Sequence, residues 1–299
     1  MAWRSSGTSN AELVENLWRN KLITQAPVRS AFLRVDRAHY APEPGSAYED
    51  SPQPIGHGAT ISAPHMHANA VETLLPFLLP PPSPSPSRTE EGGGVKGHTG
   101  RPRRVLDIGS GSGYLTHVLA ELAGESGVVV GLEHIPALQR LGEANMAKSA
   151  EGRHLLETGR ARFRVGDGRK GWAEPAGSWP GVGGRPANGN GNGNGGNNNG
   201  SSSRNGRVET GDTRENGNEE GEEGEGGGWD AIHVGAAAAE LHEELVRQLR
   251  SPGRMFIPVD AGNGWEQHIW TVDKDERGTI RKQRLYGVRY VPLTDAPTS

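Results

Sequence analysis

The nine residues at 105–113, VLDIGSGSG, constrain this chain more than any other stretch of it. Val105, Leu106 and Ile108 make an apolar run with Asp107 near its carboxyl end, and such a run reads as a buried strand. Gly109, Gly111 and Gly113 then let the backbone turn tightly against a ligand. A helix follows at once, because Leu115, Val118, Leu119 and Leu122 recur at helical spacing and Gly124 supplies the stop. A strand running through a glycine turn into a helix opens a βαβ unit, so the expected fold class is α/β with a doubly wound sheet. Its ligand belongs at the carboxyl ends of the strands.

Two ligand classes use such a turn: dinucleotides and S-adenosylmethionine (SAM), the methyl donor of methyltransferases. The spacing here is G-x-G-x-G. The dinucleotide fingerprint requires a small residue at position 114, where this chain has Tyr114, and a ring there opposes close packing of helix on strand. A second strand, 128–132, ends at Glu133, whose carboxylate can accept from both ribose hydroxyls. A third, 161–165, ends in Gly166-Asp167-Gly168, where Asp167 can receive the exocyclic amine of an adenine. Three strand ends in register with the turn thus carry acids, which favours a SAM site over acids merely collecting in loops.

Two stretches have no capacity to join a core. Residues 80–103 are Pro/Ser-rich and then Gly-rich, and 176–228 run through NGNGNGNGGNNNG into RENGNEEGEEGEGGG. Both are expected to be disordered insertions in a single methyltransferase domain spanning 1–299, since almost nothing apolar offsets the entropy of ordering them. Lengthening a surface loop from about 5 to about 50 residues costs only ~2 kcal/mol of closure entropy. The net charge of -4 comes from the acidic part of the second insertion, and no basic, aromatic-rich patch suggests nucleic acid. With no Cys, thiolate chemistry and disulfides are excluded. No apolar run reaches membrane-spanning length and the first residues lack a signal core, so the expectation is a cytoplasmic, monomeric enzyme.

Around this centre, residues 11–23 read as an amphipathic helix capped by Ser9 or Asn10, and 28–35 as a second. A third starts near Ala63 or Pro64, with Ser62 suited to be its N-cap. Trp229 to Val234 reads as a fourth strand, 235–253 as a helix with Leu241, Leu245 and Leu249 on one face, and 254–259 as a fifth strand. Residues 267–272 and 285–291 look like an antiparallel pair at the sheet edge. His65 and His67 stand two apart, which on a helix turns them away from each other, so no metal site is expected.

Taken together, DSPQPIGHGATISAPHMHA, VLDIGSGSGYLT, GDGRKGWAE, WDAIHVGAAA, GRMFIPVD and GVRYVPLTD resemble the protein-L-isoaspartate (D-aspartate) O-methyltransferase family. The likeness covers about residues 1–79, 104–174 and 229–295. It implies transfer of a methyl group from SAM to the free carboxylate of isoaspartyl or D-aspartyl residues in age-damaged proteins. By the resemblance Ser62 is the active-site residue, and Pro64, His65, Met66 and His67 close over cofactor and substrate. Gly109, Ser110 and Gly111 form the methionine-side loop, Glu133 with His134 the ribose site, and Asp167 with Gly168 the adenine site. Thr294 belongs to the C-terminal cofactor segment. Glu133 stands where the family often has aspartate, and Ala239 and Glu240 stand where a proline commonly follows the GAAA run. The competing readings are a SAM methyltransferase for another acceptor, against which the TISAPHM and VPLTD segments speak, and a noncatalytic SAM-binding adaptor, which would be expected to carry a further C-terminal interaction domain.

Asn-Gly pairs begin at Asn188, Asn190, Asn192, Asn194, Asn199, Asn205 and Asn216. Gly lacks a Cβ to hinder attack of its nitrogen on the preceding amide, which favours isoaspartate formation there. The loop is thus a candidate substrate of its own enzyme, against the plainer reading of a low-complexity spacer.

Overall fold

A computed structural model of the chain describes residues 5–80, 101–175, 178–179, 228–262 and 266–293. The Asn-Gly positions, most of both insertions and Thr294 lie outside the described residues. Backbone contacts group Met1–Glu174 with Gly228–Ser299 as one unit and Pro175–Gly227 as another, and only three residues of the second unit are described.

Two short helices come first, α1 (Asn10–Arg19) and α2 (Ala26–Arg34). Ser9 caps α1 by accepting from the Glu12 amide, and Leu13, Val14 and Leu17 bury the apolar face. A hairpin of β1 (Gln53–Gly56) and β2 (Ala59–Ile61) leads into α3 (Pro64–Leu78). The glycine-turn unit follows as β3 (Arg104–Ile108) and α4 (Tyr114–Leu122), then β4 (Val128–Glu133), α5 (Pro136–Met146), α6 (Ala150–Glu157) and β5 (Ala161–Val165). The remainder is β6 (Trp229–Val234), α7 (Glu243–Arg247), β7 (Leu249–Asp260), β8 (Gln267–Lys274) and β9 (Ile280–Val288).

The main sheet has the order β5-β4-β3-β6-β7-β8-β9, parallel from β5 to β7 and antiparallel beyond it. From β3 the chain winds outward through β4 and β5, then crosses to β6 on the other side. The strand order therefore reverses at β3, where an open α/β sheet leaves a crevice at its carboxyl edge. The VLDIGSGSG turn sits there.

Between β6 and β7 the predicted long helix is replaced by extended chain and one short turn. Ala237 donates to the Val291 carbonyl (2.8 Å) and accepts from the Leu293 amide (2.7 Å); Ala238 donates to the Pro258 carbonyl (2.9 Å) and accepts from Asp260 (2.9 Å). Four tertiary bonds outweigh the few tenths of a kcal/mol per residue by which Ala favours helix. Leu249 opens β7 instead of closing a helix, and Pro252 sits where the pairing of β6 with β7 is irregular, the position at which a sheet tolerates proline. β9 starts five residues earlier than the predicted 285–291 strand and releases residues 289–293 toward the crevice. Helices α5 and α6 were not apparent from the sequence pattern. Among the described residues, no helix is long and apolar enough to cross a membrane.

Candidate active site

At the crevice, Gly109, Gly111 and Gly113 all take positive φ, as the turn requires. The close approach expected between helix and strand occurs elsewhere: a Cβ on Gly113 would stand 2.7 Å from the Gly142 carbonyl of α5. Tyr114 is thereby free to turn its ring the other way, edge-on to Phe32 (6.1 Å between centroids) and against His67 (5.2 Å).

Three adjoining hollows open around the turn. The first, about 240 Å³, is lined by Gly109, Gly111, Glu133, His134, Ile135, Leu138, Gly166, Gly168, Leu293 and others. The second is a cleft of about 1090 Å³ between the start of α3 and residues 286–292, with Ser62, His65 and Met66 on its wall. The third is a narrow slot of about 30 Å³ lined by Ser62, His67, Asp107, Ser110 and Tyr114. Thr60 and Gly235 line all three. Ser62 and the glycine turn, 47 positions apart in sequence, thus face one slot.

Glu133 is almost fully buried, and its carboxylate spans two strand ends. Oε2 accepts from the Gly111 amide (3.0 Å), while Oε1 accepts from the amides of His134 (2.9 Å) and Ile135 (3.2 Å) and lies 3.0 Å from His134 Nδ1. A carboxylate has about four lone-pair sites, so acceptor capacity remains for a ribose. Gly166 and Gly168 line the first hollow, and the carboxylate of Asp167 between them accepts Nε and Nη2 of Arg169 (2.9 Å each). That hydrogen bonding holds its pKa below the usual carboxylate range. A Cβ on Gly168 would meet Ile108 Cγ2 at 2.3 Å, so the close packing against β3 requires glycine there.

Asp107, the third acid of the sequence pattern, is buried beneath the turn. It accepts from His233 Nδ1 (2.8 Å) and from Thr116 Oγ1 (2.6 Å), tying β3 to β6 and α4. It also lines the narrow third hollow, so it braces the turn from the floor of that slot.

Ser62 is not the cap of α3. The N-cap is Ala63, without a side-chain bond, and the orphan amide of His65 donates instead to Asp50 Oδ1 (2.9 Å), which also accepts from His65 Nδ1 (2.8 Å). Relieved of capping, Ser62 is placed on the wall of the cleft and the slot. Its backbone carbonyl accepts from Nη2 of Arg37 (2.7 Å), a residue the sequence reading passed over. Arg37 is fully buried, 5.1 Å from the centre of the Tyr114 ring, and burial pushes its guanidinium down to about 10. Its Nη1 approaches His67 Nδ1 (3.4 Å); a guanidinium only donates, so this ring nitrogen is the acceptor. Burial, with Arg37 alongside, holds His67 well below its usual value, so the ring is neutral. Pro64 fills the first turn of α3, and His65 and His67 face different partners. The signal for Arg37 was a lone cation between apolar Val35 and Tyr40; the signal for Asp50 was an acid heading the PQPIGHGATIS loop.

The first hollow fits a nucleoside cofactor on two observations. Gly109, Gly111, Gly166, Gly168 and Gly235 strip its wall to backbone, and Ser110 Oγ beside it is buried without a hydrogen-bond partner.

A reversal at a glycine turn, an acid spanning two strand ends and an open cleft beside the cavity are the marks of a doubly wound methyltransferase fold. The chain matches the sequence profile of protein-L-isoaspartate(D-aspartate) O-methyltransferase over residues 8–81, 99–177 and 207–298. It is 36% identical to the protein-L-isoaspartate O-methyltransferase of Caenorhabditis elegans, over 98% of this chain and 96% of the relative, and 35% identical to protein-L-isoaspartate O-methyltransferase 1 of Arabidopsis thaliana, over 97% and 93%. Among solved structures, it superposes with a TM-score of 0.65 and 28% identity on a Plasmodium falciparum chain assigned to the same activity and crystallised with S-adenosyl-L-homocysteine, covering 96% of this chain and 99% of that one. The chain belongs to the protein-L-isoaspartate (D-aspartate) O-methyltransferase family.

Proposed function

We propose that the chain moves a methyl group from SAM to the free α-carboxylate of L-isoaspartyl and D-aspartyl residues in damaged proteins, with Ser62 as the residue that orients the acceptor. The observation carrying this reading is the meeting of the three hollows at Thr60 and Gly235, with Ser62 on the acceptor side and the glycine turn on the other. The reading assigns Gly109, Ser110 and Gly111 to the methionine side of the cofactor, Glu133 and His134 to its ribose, and Gly166 and Gly168 to its base.

An isoaspartyl α-carboxylate has a pKa near 3.5 and is ionised at neutral pH, so no general base is required. Bound SAM supplies a methyl group activated by its sulfonium centre. Transfer cancels the acceptor's negative charge, so a strong cation on the carboxylate would stabilise the starting state more than the transition state. A neutral hydroxyl at Ser62 fixes direction without that penalty. Arg37 sets the Ser62 backbone from below and is absent from the lining of all three hollows. Orientation of this kind can supply roughly 7–11 kcal/mol.

Ser62→Ala is expected to lower kcat by about tenfold or more while leaving SAM affinity within about twofold, read from initial rates and calorimetry. A rate within twofold of the parent would remove Ser62 from the mechanism.

A further inference from the structure

β9 is the last strand of the sheet, bonded to β8 on one side only, so its outer edge offers unpaired amides and carbonyls. Residues 280–287 are all exposed. Within 280–289 the chain places Arg281, Lys282, Arg284 and Arg289 and not one acid. Among the described residues none of these four is in an ion pair; Asp273 stands opposite Arg281 in register, but its carboxylate is taken by Arg254 (2.5 Å). A single lysine is enough to deter edge-to-edge aggregation. Asp275 feels the charge of Arg281, but Lys282, Arg284 and Arg289 have no acid at ion-pair distance among the described residues, and such a run of cations along β9 and just past its end suits an acidic partner.

The strand is also continuous with the acceptor cleft. Tyr286, Gly287, Val288, Arg289 and Tyr290 line that cleft together with Ser62. A strand advances ~3.3 Å per residue, so Arg284 lies about 16 Å along the edge from Arg289, within reach of a flank of about five residues.

We propose that β9 is a docking edge for acidic flanks: the segment beside the isoaspartyl residue adds to β9 as an extra strand, and its Asp and Glu side chains pair with Arg281, Lys282, Arg284 and Arg289. This rests on the Ser62 cleft being the acceptor site. Main-chain bonds along the edge accept any sequence, and the cations select its charge. The preferred substrates are therefore isoaspartyl sites in acidic surroundings.

The test uses the full chain and isoaspartyl peptides with acidic, neutral or basic flanks on either side, read as kcat/KM. The expected result is a preference for the acidic over the basic flank of about tenfold near 20 mM salt, shrinking to about twofold near 0.5 M. The exposed triple variant R281E/K282E/R284E should abolish or invert it, with the neutral peptide unchanged. Equal kcat/KM for all flanks at low salt, or a preference surviving intact in the triple variant, would overturn the proposal. So would a sedimenting dimer that the triple variant dissociates, since a second copy would then occupy β9. Failure to methylate even the neutral peptide would overturn the acceptor assignment, and this inference with it.

Discussion

Tyr114 joins two segments that stand far apart in sequence. Its backbone opens α4 directly after the glycine turn, and its ring carries the Arg37 guanidinium that holds the Ser62 carbonyl. From sequence, position 114 served only to argue against a dinucleotide. Arg37→Met would leave the Ser62 carbonyl without that donor, a loss of about 1–3 kcal/mol for a buried acceptor. The expected outcome is a kcat reduced about tenfold, with the dissociation constant for SAM within about twofold; equal loss in both would mean that Arg37 only supports the fold. His67 beside it predicts a pH dependence. The unfolded chain protonates this ring near its usual 6.5, whereas the fold keeps it neutral to well below that value. The unfolded state thus binds more protons in this window, and stability falls as pH drops below 6.5, by up to about 1.4 kcal/mol per pH unit for one group. Urea unfolding between pH 7.5 and 5 should show a shallower loss for His67→Gln than for the parent, and parallel losses would contradict the assignment.

Among the elements, α3 shows how a site residue is released for function. A serine before a proline-led helix reads as a cap, yet Asp50, 15 positions upstream, caps the amide of His65. Asp50→Ala is expected to cost about 1–2 kcal/mol, the usual loss of a helix cap, measured by thermal or urea unfolding. A cost below about 0.3 kcal/mol would return capping to other groups. This also explains what could be read in advance. β3, its turn, α4, β4, β5 and β6 were legible because each is a short apolar run punctuated by glycine or an acid, and the strand ends placed Glu133 and Gly168 at the cavity. That Arg169, two residues on, pairs with the Asp167 carboxylate was not legible from the sequence. Arg37 and Asp50 were missed because their partners come from other elements. The alanine run at 236–239 was read as helix because local propensity carries no trace of the four bonds that draw it to residues 258–260 and 291–293.

For the molecule as a whole, the folded unit closes on itself across the second insertion: Trp229 Nε1 donates to the Trp172 carbonyl at 3.0 Å. Trp179 is buried, at 8% exposure, and we propose that 180–227 contribute nothing to the folding of this unit. Replacing them with a Gly/Ser linker of roughly eight residues should leave the melting temperature within about 3 °C and kcat within about twofold. Failure of that variant to fold would show that the insertion belongs to the domain. The cleft beside Ser62 is proposed to take an isoaspartyl carboxylate and to reject ordinary aspartate. The most direct test is methyl transfer from labelled SAM to an isoaspartyl peptide and to the same peptide with normal aspartate. Label in the isoaspartyl peptide alone is the predicted result; equal labelling of both, or of neither, would contradict it.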